Sequence, residues 1–212
     1  MDPKLQAIYD AILNGERAET PVAVHAALDA GLDPATILSD GMIAAMKEVG
    51  RLFEEKEYYV PEMLLSARTM QAGLAVLKPE LQKGNVKAAG KVAIGTVKGD
   101  LHDIGKNLVA MMLEGSGFEV IDLGVDVDAD KFVATVREQS PDLVCLSALL
   151  TTTMPMMEKT IRALEAAGVR QNVKVMIGGA PVNQAFANQI GADGYSADAS
   201  RAVTLALSLV AA

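Results

Sequence analysis

The stretch Lys98-Gly99-Asp100-Leu101-His102-Asp103-Ile104-Gly105-Lys106-Asn107 sets one histidine between two carboxylates, Asp100 and Asp103. Imidazole binds a transition metal through one ring nitrogen while the other donates to a carboxylate, which fixes the tautomer and raises the ligand's basicity. His102 with Asp100 therefore reads as a metal ligand and its orienting partner. The stretch is not a phosphate loop, because neither G-x-G-x-x-G nor G-x-x-x-x-G-K-[ST] occurs in it. One histidine cannot hold a bare metal ion, and the other histidine of the chain, His25, falls in a helical stretch. A multi-histidine zinc or iron site is not expected, so a metal here brings most of its own ligands, as a macrocycle does.

The elements around this stretch place it at a ligand-binding edge. Short apolar runs at Val92 to Val97, Glu119 to Leu123, Leu143 to Leu146 and Val173 to Ile177 alternate with helical stretches, and a weak fifth strand is expected near Tyr195. Continuous Val/Ile/Leu strands separated by helices predict a doubly wound, flavodoxin-like (Rossmann-like) parallel sheet of five strands, whose ligands bind beyond the carboxyl ends of the strands. The Asp100–His102 stretch follows the first of them. The preceding region reads differently: apolar positions recur at three and four, with no strand pattern between them. Leu5, Ile8, Tyr9 and Ile12 form one stripe ended by Gly15, and Thr20-Pro21 reads as a cap with proline at the first helical position. A third helix follows Asp33-Pro34 and runs through Ile37, Met42, Ile43, Met46, Val49 and Phe53. The fourth starts at Val60-Pro61 and carries Met63, Leu64, Ala67, Met70, Leu74 and Leu77 to an end near Pro79. These spacings predict a four-helix bundle over 1–82, a small polar linker over 83–90 and an α/β domain over 91–212.

Composition narrows the function. Half of the 212 residues are hydrophobic and 22% are charged, as in ordinary globular proteins. With 19 basic against 27 acidic residues, no basic run, no Trp and 4% aromatics, neither a duplex-binding surface nor an aromatic stacking platform is expected. The single Cys145 permits no internal disulfide and fits a reducing cytoplasm. No apolar run approaches the ~20 residues of a membrane helix, and the start Met-Asp-Pro-Lys lacks a secretory pattern. A cytoplasmic protein without membrane or nucleic-acid partners is expected.

The string Asp100-x-His102-x-x-Gly105 resembles the D-x-H-x-x-G signature of cobalamin-binding domains, in which the histidine replaces the corrinoid's own benzimidazole base below cobalt. Two further segments match in order. Ser147-Ala148-Leu149 resembles the S-x-L element, and Gly178-Gly179 resembles the paired glycines along which the displaced nucleotide tail lies. Thr151 and Thr153 stand where the family carries hydroxyls that bond the histidine–carboxylate pair or the tail, with Thr at the second position where Ser is frequent. The resemblance extends over nearly the whole chain, because methionine synthase and the small corrinoid proteins of methyltransferase systems place a helical bundle before this domain. Phe53 and Tyr59-Val60-Pro61-Glu62-Met63-Leu64 resemble the bundle's apolar cap over the upper corrin face.

The resemblance implies cobalamin or a related corrinoid, as methylcobalamin, with His102 as the axial cobalt ligand. The cofactor would contact Gly99, Asp100, Leu101, Asp103, Ile104, Gly105, Ser147, Leu149, Thr151, Thr153, Gly178, Gly179 and Tyr195 in one domain and Phe53, Val60 and Met63 in the other. It further implies an accessory corrinoid protein that shuttles a methyl group between a substrate-specific corrinoid methyltransferase and a second methyltransferase acting on a thiol or folate, through a cob(I)alamin/methylcob(III)alamin cycle served by a reductive activase. His102 would bind and release cobalt as the cycle turns, with Asp100 tuning the exchange. The donor is not readable; methylamines and methoxyaromatics are favoured over methanol, betaines and methyl thiols. A mutase subunit would lack the bundle, a cobalamin-dependent sensor would carry a DNA-binding domain and an upper-face Trp, and a response regulator would need an acidic pocket with a phospho-acceptor. Plainer roles stand beside these: Gly105 as a close helix–sheet packing position, Gly178-Gly179 as a strand-end turn, Ser147 as a local cap, Cys145 as a buried strand residue, His25 as a surface residue and Glu54 to Glu57 as a solvated helix end.

Overall fold

The computed structural model describes residues 1–84 and 87–211, without the side chain of Gln82. Asn85 and Val86, at the middle of the expected linker, lie outside the described residues. The chain divides into two compact units, one of Met1–Ala88 with Glu114–Gly117 and the other of Ala89–Leu113 with Phe118–Ala212.

The first unit is helical. Helix α1 (Pro3–Leu13) starts on Asp2, whose side chain accepts from Lys4 N at 2.8 Å, and buries Leu5, Ile8 and Ile12. Helix α2 (Glu19–Asp29) begins earlier than the Thr20-Pro21 pattern suggests. Thr20 lies inside the first turn, and its hydroxyl donates back to Glu16 O at 3.2 Å instead of capping. The third rod is capped by Asp33, which accepts from Thr36 N at 3.0 Å, and has three parts: α3 (Pro34–Thr36), a π-helical segment (Ile37–Ile43) and α4 (Ala44–Glu54). Its buried face holds Ile37, Met42, Met46 and Val49. Helix α5 (Val60–Lys83) opens with Glu62 accepting from Tyr59 N at 3.0 Å, the reciprocal half of a capping box. It continues through Pro79, contrary to the expected stop. A proline near a helix end forfeits one hydrogen bond without reversing the chain, and Gly84 N still closes the last turn on Glu80 O at 3.0 Å.

The second unit is a five-stranded, wholly parallel sheet in the order β2-β1-β3-β4-β5. Its strands are β1 (Lys91–Thr96), β2 (Glu119–Asp122), β3 (Leu143–Ser147), β4 (Lys174–Gly178) and β5 (Gly194–Ser196). Side chains alternate between two buried faces. Ala93, Val144, Leu146, Val175 and Ile177 pack against α7 (Ala129–Gln139), α8 (Pro155–Ala166) and α9 (Gln184–Ile190). Val92, Ile94, Leu143, Cys145 and Met176 pack against α6 (Ile104–Gly115) and α10 (Ala199–Val210). Burial on both sides is why these strands read as unbroken apolar runs. The strand order reverses direction at β1 and β3, so the loops after those strands open at the switch point where ligands of this architecture bind.

Candidate functional site

Those loops converge on a single carboxylate. Beyond β1, Val97 bridges to Val127, Gly99 turns the chain at φ +81°, and Asp100 follows with its side chain wholly enclosed. Asp100 Oδ1 accepts from His102 N at 3.1 Å and lies 2.8 Å from His102 Nδ1. Oδ2 accepts from Leu149 N at 2.8 Å and from Thr153 Oγ1 at 2.7 Å, with Leu150 N at 3.4 Å. Burial alone would push this carboxyl up, but the bonds from Thr153, Leu149 and His102 outweigh it and hold Asp100 well below the usual carboxylate range. It is ionised at neutral pH and can only accept, so His102 Nδ1 donates to it and Nε2 is the nitrogen left for a ligand. A buried acid thus fixes both the tautomer and the direction of an imidazole that is half exposed.

The loop is held from two other sides. Thr96 Oγ1, fully buried, donates to His102 O at 2.9 Å. Asp126, beyond β2, accepts from Gly99 N at 2.8 Å through its side chain and donates its own N–H to Asp100 O at 2.9 Å. The bond from Gly99 N draws the Asp126 carboxyl down, with a smaller contribution from Lys98. Lys98 Nζ spans Asp126 at 3.3 Å and Asp128 at 3.2 Å. Lys106, in the first turn of α6 and buried, ties that helix to the end of β2 through both oxygens of Asp122 at 2.6 and 2.5 Å.

Of the residues expected here, Asp100, His102, Leu149 and Thr153 meet in one hydrogen-bonded group. Leu149 takes part through its backbone N–H, a role its side chain does not announce. Thr153, not Thr151, supplies the hydroxyl; Thr151 is exposed. Asp103 does not share the imidazole, since its carboxylate accepts from Asn107 Nδ2 at 3.1 Å at the start of α6. Leu101 and Ile104 are 72% and 74% exposed, and Leu149 and Leu150 are also open, so the histidine stands in an apolar surround. Gly105 does not serve helix–sheet packing: a Cβ there meets no atom within 4 Å. Gly178 and Gly179 behave differently. Gly179 sits at φ +131°, and a Cβ on it would come to 1.8 Å from Ala148 O, while one on Gly178 would lie 3.3 Å from Ser196 O. The fold itself therefore demands glycine at Gly179. Ser147 ends β3, where its carbonyl accepts from Val97 N at 3.0 Å, and Tyr195 is half-buried in β5.

In the helical unit, Val60 is exposed at the start of α5, Phe53 is half-buried near the end of α4 and Met63 is fully enclosed. His25 is exposed, and Cys145 is buried, which raises its thiol far above the ordinary range. Thr96 and Asp126 escape sequence reading. Their partners lie six and 27 residues away, and the only local signals are a hydroxyl closing an apolar strand and an acid after Gly124. Among the described residues, no group of three or more His, Cys, Asp or Glu side chains could hold a metal ion by itself. The donor set is one outward imidazole on an apolar ledge with open space over Gly105, which fits a flat macrocycle that brings its other ligands.

Comparison with known proteins agrees with that chemistry. The B12 binding domain pattern matches residues 90–204, and a second B12 binding domain pattern matches residues 4–78. The dimethylamine corrinoid protein 1 of Methanosarcina acetivorans is 43% identical over 208 residues, 98% of this chain and 97% of the relative. The trimethylamine corrinoid protein of Methanosarcina barkeri is 47% identical over 179 residues, 84% of this chain and 82% of the relative. Among solved structures, a cobalamin-binding protein from Desulfitobacterium hafniense aligns with a TM-score of 0.80 at 36% identity, over 97% of this chain and 98% of that one. The methanol:cobalamin methyltransferase complex MtaBC of Methanosarcina barkeri aligns with a TM-score of 0.87 at 32% identity, over 99% of this chain and 80% of that one.

Proposed function

The chain belongs to the B12-binding family of corrinoid proteins, and from that membership we propose that it is a methyl carrier which holds its corrinoid base-off, with His102 Nε2 as the axial ligand of cobalt. The observation that carries this reading is the lock between His102 Nδ1 and the enclosed Asp100 at 2.8 Å, which leaves Nε2 to coordinate. When bound, the corrinoid would supply the chemistry, a cobalt centre able to accept a methyl group and pass it on.

The protein's own groups bind and orient. Asp100 holds the imidazole at one angle and stabilises the proton on Nδ1, so the basicity of Nε2 is set by a carboxylate itself fixed by Thr153 and Leu149. Leu101, Ile104, Leu149 and Leu150 offer an apolar ledge that excludes water beneath the macrocycle. Gly105 has open space beside it, and by the resemblance Ser147, Thr151, Gly178, Gly179 and Tyr195 would hold the nucleotide tail. The resemblance assigns Phe53, Val60 and Met63 to a cap for the cofactor; within the helical unit Val60 is exposed, Phe53 half-buried and Met63 enclosed.

The methylamine corrinoid relatives favour a methylamine as donor over a methoxyaromatic. The partners of this reading are a substrate-specific corrinoid methyltransferase, by analogy with the methanol complex, a second methyltransferase acting on a thiol or folate, and a reductive activase. The setting is cytoplasmic. Spectrophotometric titration of the apo-protein with hydroxocobalamin tests the reading: stoichiometric uptake is expected, and no uptake would defeat it.

A further inference from the structure

We propose that Thr96 is a positioning residue for the axial histidine, fixing the backbone of His102 so that its imidazole is presented at the height cobalt requires. This rests on the corrinoid reading above. Thr96 closes β1 after the apolar sequence Val92-Ala93-Ile94-Gly95, and it is wholly buried. The strand ladder does not need its hydroxyl, because its N–H donates to Gly124 O and its carbonyl accepts from Val127 N, both at 3.0 Å. Nor does its shape account for it, since valine fills the same volume without burying a hydroxyl, which is unfavourable unless bonded. The hydroxyl is spent on His102 O, six residues away across the loop, at 2.9 Å.

His102 is thereby held at its N–H and its ring, both by Asp100 Oδ1, and at its carbonyl by Thr96. The Asp100 contacts share one oxygen, so they define a pivot about which the residue can tilt; the Thr96 bond removes that freedom. Asp126 secures Gly99 and Asp100 on the other side of the turn, and Thr96 secures the end that bears the ligand. Loss of a group that orients a metal ligand from behind weakens metal affinity by about 10- to 100-fold.

The test combines hydroxocobalamin titration with electron paramagnetic resonance of the cobalt(II) form, in full-length wild type, Thr96→Val, Thr96→Ser and Thr160→Val. Thr160 is a matched control: it is buried in α8 and its hydroxyl only donates back to Met156 O at 2.8 Å. Thr96→Val is expected to raise the dissociation constant about tenfold and to diminish the nitrogen splitting of the cobalt lines, while Thr96→Ser and Thr160→Val match the wild type. Thr96→Ala replaces the valine variant should the latter not fold. Unchanged splitting and affinity without the hydroxyl, equal damage from Thr96→Ser, or equal damage from Thr160→Val would each overturn the assignment. A wild type that takes up no cobalamin overturns the corrinoid reading and this inference with it; a wild-type splitting untouched by Thr96→Val overturns this inference alone.

Discussion

At the scale of single residues, Asp100 carries the largest electrostatic consequence. Five donors surround its carboxylate, four of them within 3.1 Å, and its folded pKa is depressed below the unfolded value of about 3.9. A depressed acid contributes stability that is fully present above the unfolded pKa and is lost as the pH falls through the folded one. Asp100→Asn should therefore lower the stability of the apo-protein at pH 7 by about 1–3 kcal/mol, because it removes a charged acceptor and turns an amide toward donors. The gap between wild type and variant should narrow as the pH is taken from about 4 downward. Urea midpoints measured across that range check this; a gap that widens in acid would contradict it.

Elements explain why glycines in similar loops are used differently. Gly179 leaves β4 at φ +131° with the Ala148 carbonyl where a Cβ would stand, whereas Gly105 lies in the first turn of α6 with open space beside it. Gly179→Ala should cost about 1–3 kcal/mol of apo-protein stability through backbone strain alone, and more through the clash. Gly105→Ala should leave the apo-protein as stable or up to about 1 kcal/mol more stable, since alanine favours a helix, yet it should weaken corrinoid uptake. Thermal melts of the two apo-variants beside hydroxocobalamin titrations decide this, and undiminished uptake by Gly105→Ala would remove that residue from the cofactor's bed. The same scale shows what the sequence made legible. Strands β1, β3 and β4 are readable because both of their faces are buried, β2 only from its half-buried Val120-Ile121 pair, and the Asp100–His102 pair because its bond spans two residues of one loop. The π-helical turn at Ile37–Ile43 was not, because a helix-period stripe continues across it. Neither was the choice of Thr153 over Thr151, which depends on how the chain turns after β3. Thr96 and Asp126 are not legible there, because their contacts exist only once β1, β2 and the loop between β1 and α6 are assembled.

At the scale of the whole molecule, the chain carries a net charge of −8 and is matched over 4–78 and 90–204 by two B12 binding domain patterns, so its surface is not a phosphate-neutralising one. Among the described residues, no helix is long and apolar enough to cross a membrane. The α/β unit gathers loops from three strands around one half-exposed imidazole, and among the described residues no group of three or more His, Cys, Asp or Glu side chains could hold a metal ion by itself, so the account stands or falls on what that imidazole binds. The most direct measurement is electron paramagnetic resonance of the cobalt(II)-loaded protein, wild type against His102→Ala. One nitrogen should split the cobalt lines of the wild type, and that splitting should vanish in His102→Ala, together with a base-off absorption spectrum and weaker binding. Splitting that survives in His102→Ala would mean that cobalt keeps another nitrogen as its lower ligand, and that His102 is not the axial base.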